Sequence, residues 1–326
     1  MSNPASPPGA ANTAAGESPF RVVHVGDLHF WSLRLGPMDL TGKRVLGWGN
    51  LLFGGRKNRF RMEEARPLAG RLRDLRPDWL LFSGDFSSTS RREEFQVART
   101  QLLPAAREAG LAVYTPGNHD AYTRRDLRRR TFAQCMGEEF HPVLDAAGYM
   151  GGQGVGLLAI NATTSNGLGA HGKFTARHLE VAQALLGQWG SSLRLLLVLC
   201  HFPPEDPPGV LPHDRGLQLR EAQPFLTWLT ESVAAPKFWL HGHHHYRWLY
   251  ASPSVPGLVY LNAGAPLQCR KGGQPDLGFH ELEVADGRVR TVRTHFRDSR
   301  REWHQRETEP PEQPGRYINL QDIVPE

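Results

Sequence analysis

Asp27-Leu28-His29, Gly84-Asp85, Gly117-Asn118-His119-Asp120, His201 and Gly242-His243-His244-His245 are short polar motifs, and each directly follows a stretch that reads as a buried strand. Together they offer carboxylates, imidazoles and a carboxamide. That mixture suits a pair of divalent cations ~3.5–4 Å apart that share one anionic ligand. Neutral imidazole and carboxylate oxygen fit Mn, Fe or Zn, whereas an all-oxygen shell favours Mg or Ca. Singly, each motif has a blander explanation: Gly84-Asp85 is a common turn pair and Asn118 an ordinary turn residue. The histidine run ending at His245 lies deep inside the chain after an apolar strand, unlike an appended tag. What chance does not supply is the set in register with successive strands. Asp27 and His29 are expected to alternate on an extended strand end and so face one side. Gly84 lets the backbone turn sharply ahead of Asp85.

These motifs need strands to carry them. Residues 21–26, 79–82, 111–114, 155–160, 193–199, 237–240, 258–261, 279–284 and 289–296 read as strands from their β-branched and apolar content. Ala285-Asp286-Gly287 reads as the hairpin turn between the last two. Apolar residues at helical spacing predict helices over 62–75, starting or kinking near Pro67, over 91–109, bent at Pro104, and over 123–136, 175–189 and 217–233. The alternation argues for one α/β domain. The later strands have fewer helices between them, which suggests two sheets face to face. The expected fold is a four-layer α-β-β-α sandwich with two mixed β-sheets and helices on both outer faces. In such folds chemistry collects at the carboxyl ends of strands, where all the motifs lie.

Composition narrows the class further. The chain has 326 residues with 40% hydrophobic content, enough for one large core. A formal charge of +5 favours acidic partners only weakly. Cys135, Cys200 and Cys269 form no CxxC pair, so a reducing compartment is expected, with Cys200 a buried thiol. No run approaches the ~18 apolar residues of a membrane span. Residues 1–19, rich in Pro, Ala, Ser and Gly, read as a disordered tail without a secretory signal. Residues 20–297 read as one folded domain, with 40–61 a basic, apolar cap insertion, and 298–326 as an extended C-terminal arm. A cytoplasmic location follows as the expectation.

The motif set D-x-H, G-D, G-N-H-D, a lone His and G-H-x-H, matched in order over roughly residues 20–297, resembles the calcineurin-like metallophosphoesterase superfamily. The resemblance implies that Asp27, His29, Asp85 and His245 hold one metal and that Asp85, Asn118, His201 and His243 hold a second, with Asp85 as the bridge. It implies a binuclear, metal-dependent phosphoesterase that cleaves a phosphodiester or pyrophosphate bond by attack of a metal-bridging hydroxide. His119 would protonate the leaving oxygen or hydrogen-bond the phosphoryl group, and Asp120 would orient His119 and raise its pKa. His244 occupies the variable position. If the strand continued, period two would put His241, His243 and His245 on one side, making His241 a supporting residue. His24 reads as a satisfied core histidine, and His141, His171, His178, His213 and His280 lack ligand spacing. A non-catalytic scaffold is the rival reading, but such proteins lose ligands and here none is missing.

Two basic segments bear on the substrate. Residues 41–61 carry Lys43, Arg44, Arg56, Lys57, Arg59 and Arg61 around Trp48, Leu51, Leu52 and Phe53, with no acid. That pattern suits peripheral contact with a membrane, at its inner face for a cytoplasmic protein, or equally a cap over the domain. Arg124 and Arg125 begin a basic run next to the G-N-H-D motif and are candidates for an acidic substrate, with Tyr122 for stacking. The substrate expected is a phosphate-containing small molecule or a lipid nucleotide. UDP-2,3-diacylglucosamine pyrophosphatases of the superfamily combine a similar core with membrane-facing elements. One common branch of them has Arg where this chain has His119, whereas cyclic-nucleotide phosphodiesterases keep G-N-H-D. No nucleic-acid module is visible.

Overall fold

Side chains alternate between two buried faces along the central strands. The computed structural model describes residues 18–32, 59–164, 170–209, 219–269, 273 and 275–321. In chain order its elements are β1 (Phe20–Val25), α1 (Ala65–Leu75), β2 (Trp79–Phe82), α2 (Arg92–Glu108), β3 (Leu111–Tyr114), α3 (Arg124–Arg129), α4 (Thr131–Met136), β4 (Ala146–Met150), β5 (Val155–Ile160), β6 (Gly172–Lys173), α5 (Ala176–Trp189), β7 (Leu195–Leu199), β8 (Leu219–Arg220), α6 (Gln223–Ser232), β9 (Lys237–His241), β10 (Arg247–Ala251), β11 (Leu258–Ala263), β12 (Phe279–Ala285), β13 (Arg288–Arg297), β14 (Trp303–Thr308) and β15 (Tyr317–Asn319).

One sheet runs β14-β13-β12-β1-β2-β3 and the other β15-β10-β11-β9-β7-β5-β4. Both are mixed: β1, β2 and β3 are parallel, as are β5, β7, β9 and β11, while β12, β13 and β14 in the first sheet and β4, β10 and β15 in the second pair antiparallel. In β7, Leu195, Leu197 and Leu199 meet Val22, Leu81 and Val113 of the other sheet in a shared core. Leu196 and Val198 face the opposite side, in a cluster with Ala182 of α5 and Phe225 and Leu229 of α6. Val23 and Val25 of β1 likewise turn outward to Leu68 and Leu72 of α1 and Phe95 and Leu102 of α2. The result is helix, sheet, sheet, helix, as the sequence predicts. Because a strand flanked by helices is buried on both faces, its sequence is continuously apolar rather than alternating.

Several elements differ from expectation. The segment 123–136 is two short helices, not one, broken at Arg130, whose backbone is left-handed (φ 50, ψ 47). Of the segment 217–233, described from Leu219 on, residues 219–220 form β8, which pairs with β6, and the chain turns helical only at Gln223, with Pro224 in the first turn where no backbone donor is needed. Pro67 sits in the first turn of α1 for the same reason. Between β12 and β13, Asp286 and Gly287 both have positive φ, the geometry of a tight hairpin turn. The C-terminal arm is extended but not detached: β14 pairs with β13 in one sheet and β15 with β10 in the other. Residues 41–58, which hold most of the basic, apolar insertion, lie outside the described residues, as does His213. No described helix is long and apolar enough to cross a membrane. Cys135, Cys200 and Cys269 are free, and burial pushes the Cys200 thiol up to about 12.

Candidate metal centre

The loops that follow β1, β2, β3, β7 and β9 meet at one end of the sandwich. The ends of β1 and β2 stay zipped past the strands: Asp27 N donates to Gly84 O at 3.0 Å and His29 N to Asp85 O at 2.8 Å. Asp27 and His29 do not alternate on an extended strand as expected. Both have φ 51, and Asp85 (φ 55), His243 (φ 76) and His245 (φ 61) are left-handed too. Such backbone costs on the order of 1 kcal/mol or more per non-glycine residue and collects at functional sites. Here it aims side chains from separate loops at common points. Likewise β9 stops at His241, so the histidines after it are placed by a turn rather than by period two.

Two donor clusters result. Asp27, His29, Asp85 and His245 each offer a ligand atom, all within 4.8 Å of one another. His29 Nε2 lies 2.9 Å from His245 Nε2 and 3.6 Å from Asp85 Oδ2, and His245 Nε2 is 3.7 Å from Asp27 Oδ1. In the second cluster, His201 Nε2 is 3.2 Å from Asn118 Oδ1 and 3.5 Å from Asp85 Oδ2. His243 Nδ1 is 3.0 Å from Asn118 Oδ1 and 3.3 Å from His201 Nε2. Asp85 Oδ2 therefore belongs to both, while Asp85 Oδ1 accepts the His119 backbone N–H at 2.8 Å. Small residues make room: a Cβ at Gly242 would lie 2.5 Å from Asp27 Oδ2, and one at Gly117 would collide with the Asp85 carboxylate.

The donor chemistry fits divalent cations. His201 Nδ1 lies 2.6 Å from the Ser83 carbonyl, so its N–H donates there and Nε2 presents a lone pair to Asn118 and Asp85 oxygens. Lone pairs facing lone pairs repel unless a cation lies between them, and a ligating histidine is held in its tautomer by just such a partner. Burial holds His201 neutral, down to about 4, and burial together with neighbouring imidazoles holds His243 well below the usual value. Neutral imidazole is the ligating form.

The proton-transfer pair departs from expectation. His119 Nδ1 is 2.7 Å from the Ser88 carbonyl, not against Asp120. Asp120 instead accepts from Phe86 N, Ser87 N, Ser87 Oγ and Gly117 N at 2.8–3.2 Å, tying the loop after β2 to the loop after β3. Burial and the Asp85 charge raise Asp120 to about 6. The His119 ring packs edge-on to His29, centroids 4.9 Å apart, and stacks on Tyr122 at 5.5 Å. Arg124 and Arg125 are exposed on the first turn of α3.

The remaining histidines sort cleanly. His244 bonds Asp206 at 2.8 Å. His241 is buried, with Nδ1 on the Gly242 carbonyl. His24 is a core residue bonded to Ser83 Oγ at 2.9 Å, and His280 bonds Thr294 Oγ1 and the Asn262 carbonyl. The residues missed from sequence are Ser83 and Ser88, which act through carbonyls that carry no side-chain signal, and Phe60. Phe60, at the end of the insertion, is buried with its ring 4.7 Å from that of His29 and 5.8 Å from that of His245.

The family model for calcineurin-like phosphoesterases matches residues 20–247, a span that holds every residue of both donor clusters. The chain belongs to that family. A calcineurin-like phosphoesterase is a metal-dependent phosphoester hydrolase, and the donor clusters supply the divalent metal site such an enzyme requires. Among solved structures, a dimetal phosphatase from Danio rerio is 12% identical, with TM-score 0.56 over 89% of this chain and 99% of that one. PhoD is 9% identical, with TM-score 0.58 over 91% of this chain and 70% of that one. At these identities both similarities concern the fold. No curated protein sequence matches the chain.

Proposed function

We propose that this phosphoesterase holds two divalent ions and hydrolyses a phosphodiester or pyrophosphate bond. The observation that carries the reading is Asp85 Oδ2, set 3.6 Å from His29 Nε2 and 3.5 Å from His201 Nε2, the position of a carboxylate shared by two sites. Asp27, His29 and His245 complete one site, and Asn118, His201 and His243 the other. The mixed imidazole and oxygen donors favour Mn, Fe or Zn. Bound there, such ions supply Lewis acidity and an ionised water near neutral pH. The chain's own groups do the rest. The His119 Nδ1–H is committed to the Ser88 carbonyl, which leaves Nε2 as the atom that passes a proton to the leaving oxygen. Asp120 keeps the loops bearing Asp85 and His119 in register, a positioning role. A poor alkoxide leaving group needs that proton most, which supports a natural ester as substrate; a pyrophosphate, which expels a phosphate, would depend on His119 less.

The test is hydrolysis by the Mn-loaded enzyme of a cyclic nucleotide, UDP-diacylglucosamine, a simple phosphomonoester and a simple phosphodiester. Asp85→Asn should abolish turnover of every substrate that is cleaved. His119→Ala should lower turnover by roughly 10²-fold on esters with poor leaving groups and much less on p-nitrophenyl esters. Full activity in both variants would sink the mechanism.

A further inference from the structure

One strand beyond the metal centre lies a cavity of about 350 Å³ that the mechanism does not use. Its position follows from register. β5 and β7 are parallel neighbours, with Ala159 paired to Leu199, so Asn161, just after β5, and His201, just after β7, lie at the same end of the sheet on adjacent strands. Asn161 forms one wall. The opposite wall is α3 and the turn after it, which follow directly from His119 and Tyr122 in the chain. The α3 wall thus continues the loop that carries Asn118 and His119, and the Asn161 wall lies at the end of the strand next to the one that leads to His201.

The lining is cationic. Arg128, Arg130 and Lys173 face the cavity, against a single carboxylate, Asp145. Asp145 is already engaged: His178 Nδ1 accepts from Thr175 N, so His178 Nε2 donates to Asp145 Oδ1 at 3.1 Å. Lys173 reaches Glu221 at 2.9 Å, but both side chains are exposed, and such pairs hold little energy. No ion pair joins Arg128 or Arg130 to an acidic side chain among the described residues. The left-handed Arg130 that splits the helix expected over 123–136 sets both guanidinium-bearing residues on this cavity rather than winding them around a continuous helix. Arg130 serves as the left-handed cap of α3, its N–H donating to the Asp126 and Leu127 carbonyls.

We infer that this cavity is a subsite for a second anionic group of the substrate, a phosphate beyond the one attacked at the metal centre. The inference rests on the phosphodiester reading above and narrows it: substrates carrying two phosphates are preferred over those carrying one. Guanidinium groups recognise phosphate through paired N–H donors, and Asn161, held by its own loop, shapes the wall between the two phosphates.

A matched substrate pair tests it on the metal-loaded full chain: thymidine 5′-(p-nitrophenyl phosphate) and the same compound bearing a 3′-phosphate. The wild type should show a KM for the bisphosphate lower by roughly tenfold or more, the scale of a hydrogen bond to a charged group. Arg128→Ala combined with Arg130→Gly should erase that advantage by raising this KM alone, with kcat and the monophosphate KM unchanged. Glycine suits the left-handed position, so the variant keeps its fold. Calorimetric titration with thymidine 3′,5′-bisphosphate reads the subsite without turnover and should weaken in parallel. Equal KM values in the wild type, or bisphosphate affinity that survives in the variant, overturn the subsite. Preferential bisphosphate binding without hydrolysis of either ester would uphold the subsite and overturn the phosphodiesterase reading instead.

Discussion

Replacing Gly242 by alanine tests how tightly the first donor cluster is built. The added Cβ would lie 2.5 Å from Asp27 Oδ2, 3.1 Å from Asp27 Cγ and 3.2 Å from Oδ1. Contacts under 3.0 Å essentially never occur, so the carboxylate or the loop must move by at least ~0.5 Å, against a tolerance of ~0.2 Å in ligand distances. Rotation of Asp27 alone is blocked, because its oxygens also accept the His243 N–H at 2.9 and 3.2 Å. The shift therefore passes to His243 and into the second cluster. With ~1 Å of misplacement worth on the order of 10²-fold in rate, Gly242→Ala should lose roughly 10- to 100-fold in kcat/KM, with weakened metal retention after dialysis. The assay is release of p-nitrophenolate from bis(p-nitrophenyl) phosphate, with bound metal measured by mass spectrometry. Gly70→Ala is the control: its Cβ meets nothing within 4 Å on α1, and activity should be unchanged. Full activity and full metal content in Gly242→Ala would refute the claim that Asp27 is held against this glycine as a ligand.

Three further outcomes are expected. Asp120→Asn turns one acceptor into a donor facing backbone N–H groups; melting should show a loss of about 1–3 kcal/mol, while the pH profile of kcat keeps its His119 limb, because Asp120 does not bond that ring. His24 is lowered from 6.5 to about 3 by burial, so its contribution to stability is complete above pH 6.5 and lost as pH falls toward 3. Denaturant titrations at pH 7.5 and 5 should show the wild type losing about 2 kcal/mol more than His24→Gln; equal losses would contradict a neutral buried imidazole. Sedimentation with anionic liposomes at moderate salt should fall when Trp48, Leu51 and Phe53 become Ser; a wild type that never sediments would leave the insertion as a cap.

Strands buried on both faces are legible as apolar runs: 79–82 and 155–160 match to the residue, and so does 111–114, a buried edge strand. The more exposed or weakly apolar edge strands are not. β14 (Trp303–Thr308) is largely exposed and polar, and β4 (Ala146–Met150) is short of β-branched residues; in both, pairing overrides composition. The break at Arg130 had no glycine or proline to announce it. At the metal centre, the ligand side chains were legible as types at strand ends. Their aim was not, since it depends on left-handed backbone at Asp27, His29, Asp85, His243 and His245, a conformation that sequence assigns to glycine or asparagine. The partner of His119 was misread for a related reason. The Asp120 carboxylate is adjacent in sequence, but four donors from neighbouring loops claim it, and the Ser88 carbonyl takes the imidazole.

The most direct measurement is the metal stoichiometry of the purified chain, with pulsed electron paramagnetic resonance on the Mn-loaded form. Two equivalents per chain with spin coupling between them, reduced to one or none and uncoupled in Asp85→Asn, is the result predicted for a carboxylate shared by two ions ~3.5–4 Å apart. A single uncoupled ion in the wild type, or coupling that survives Asp85→Asn unchanged, would contradict it.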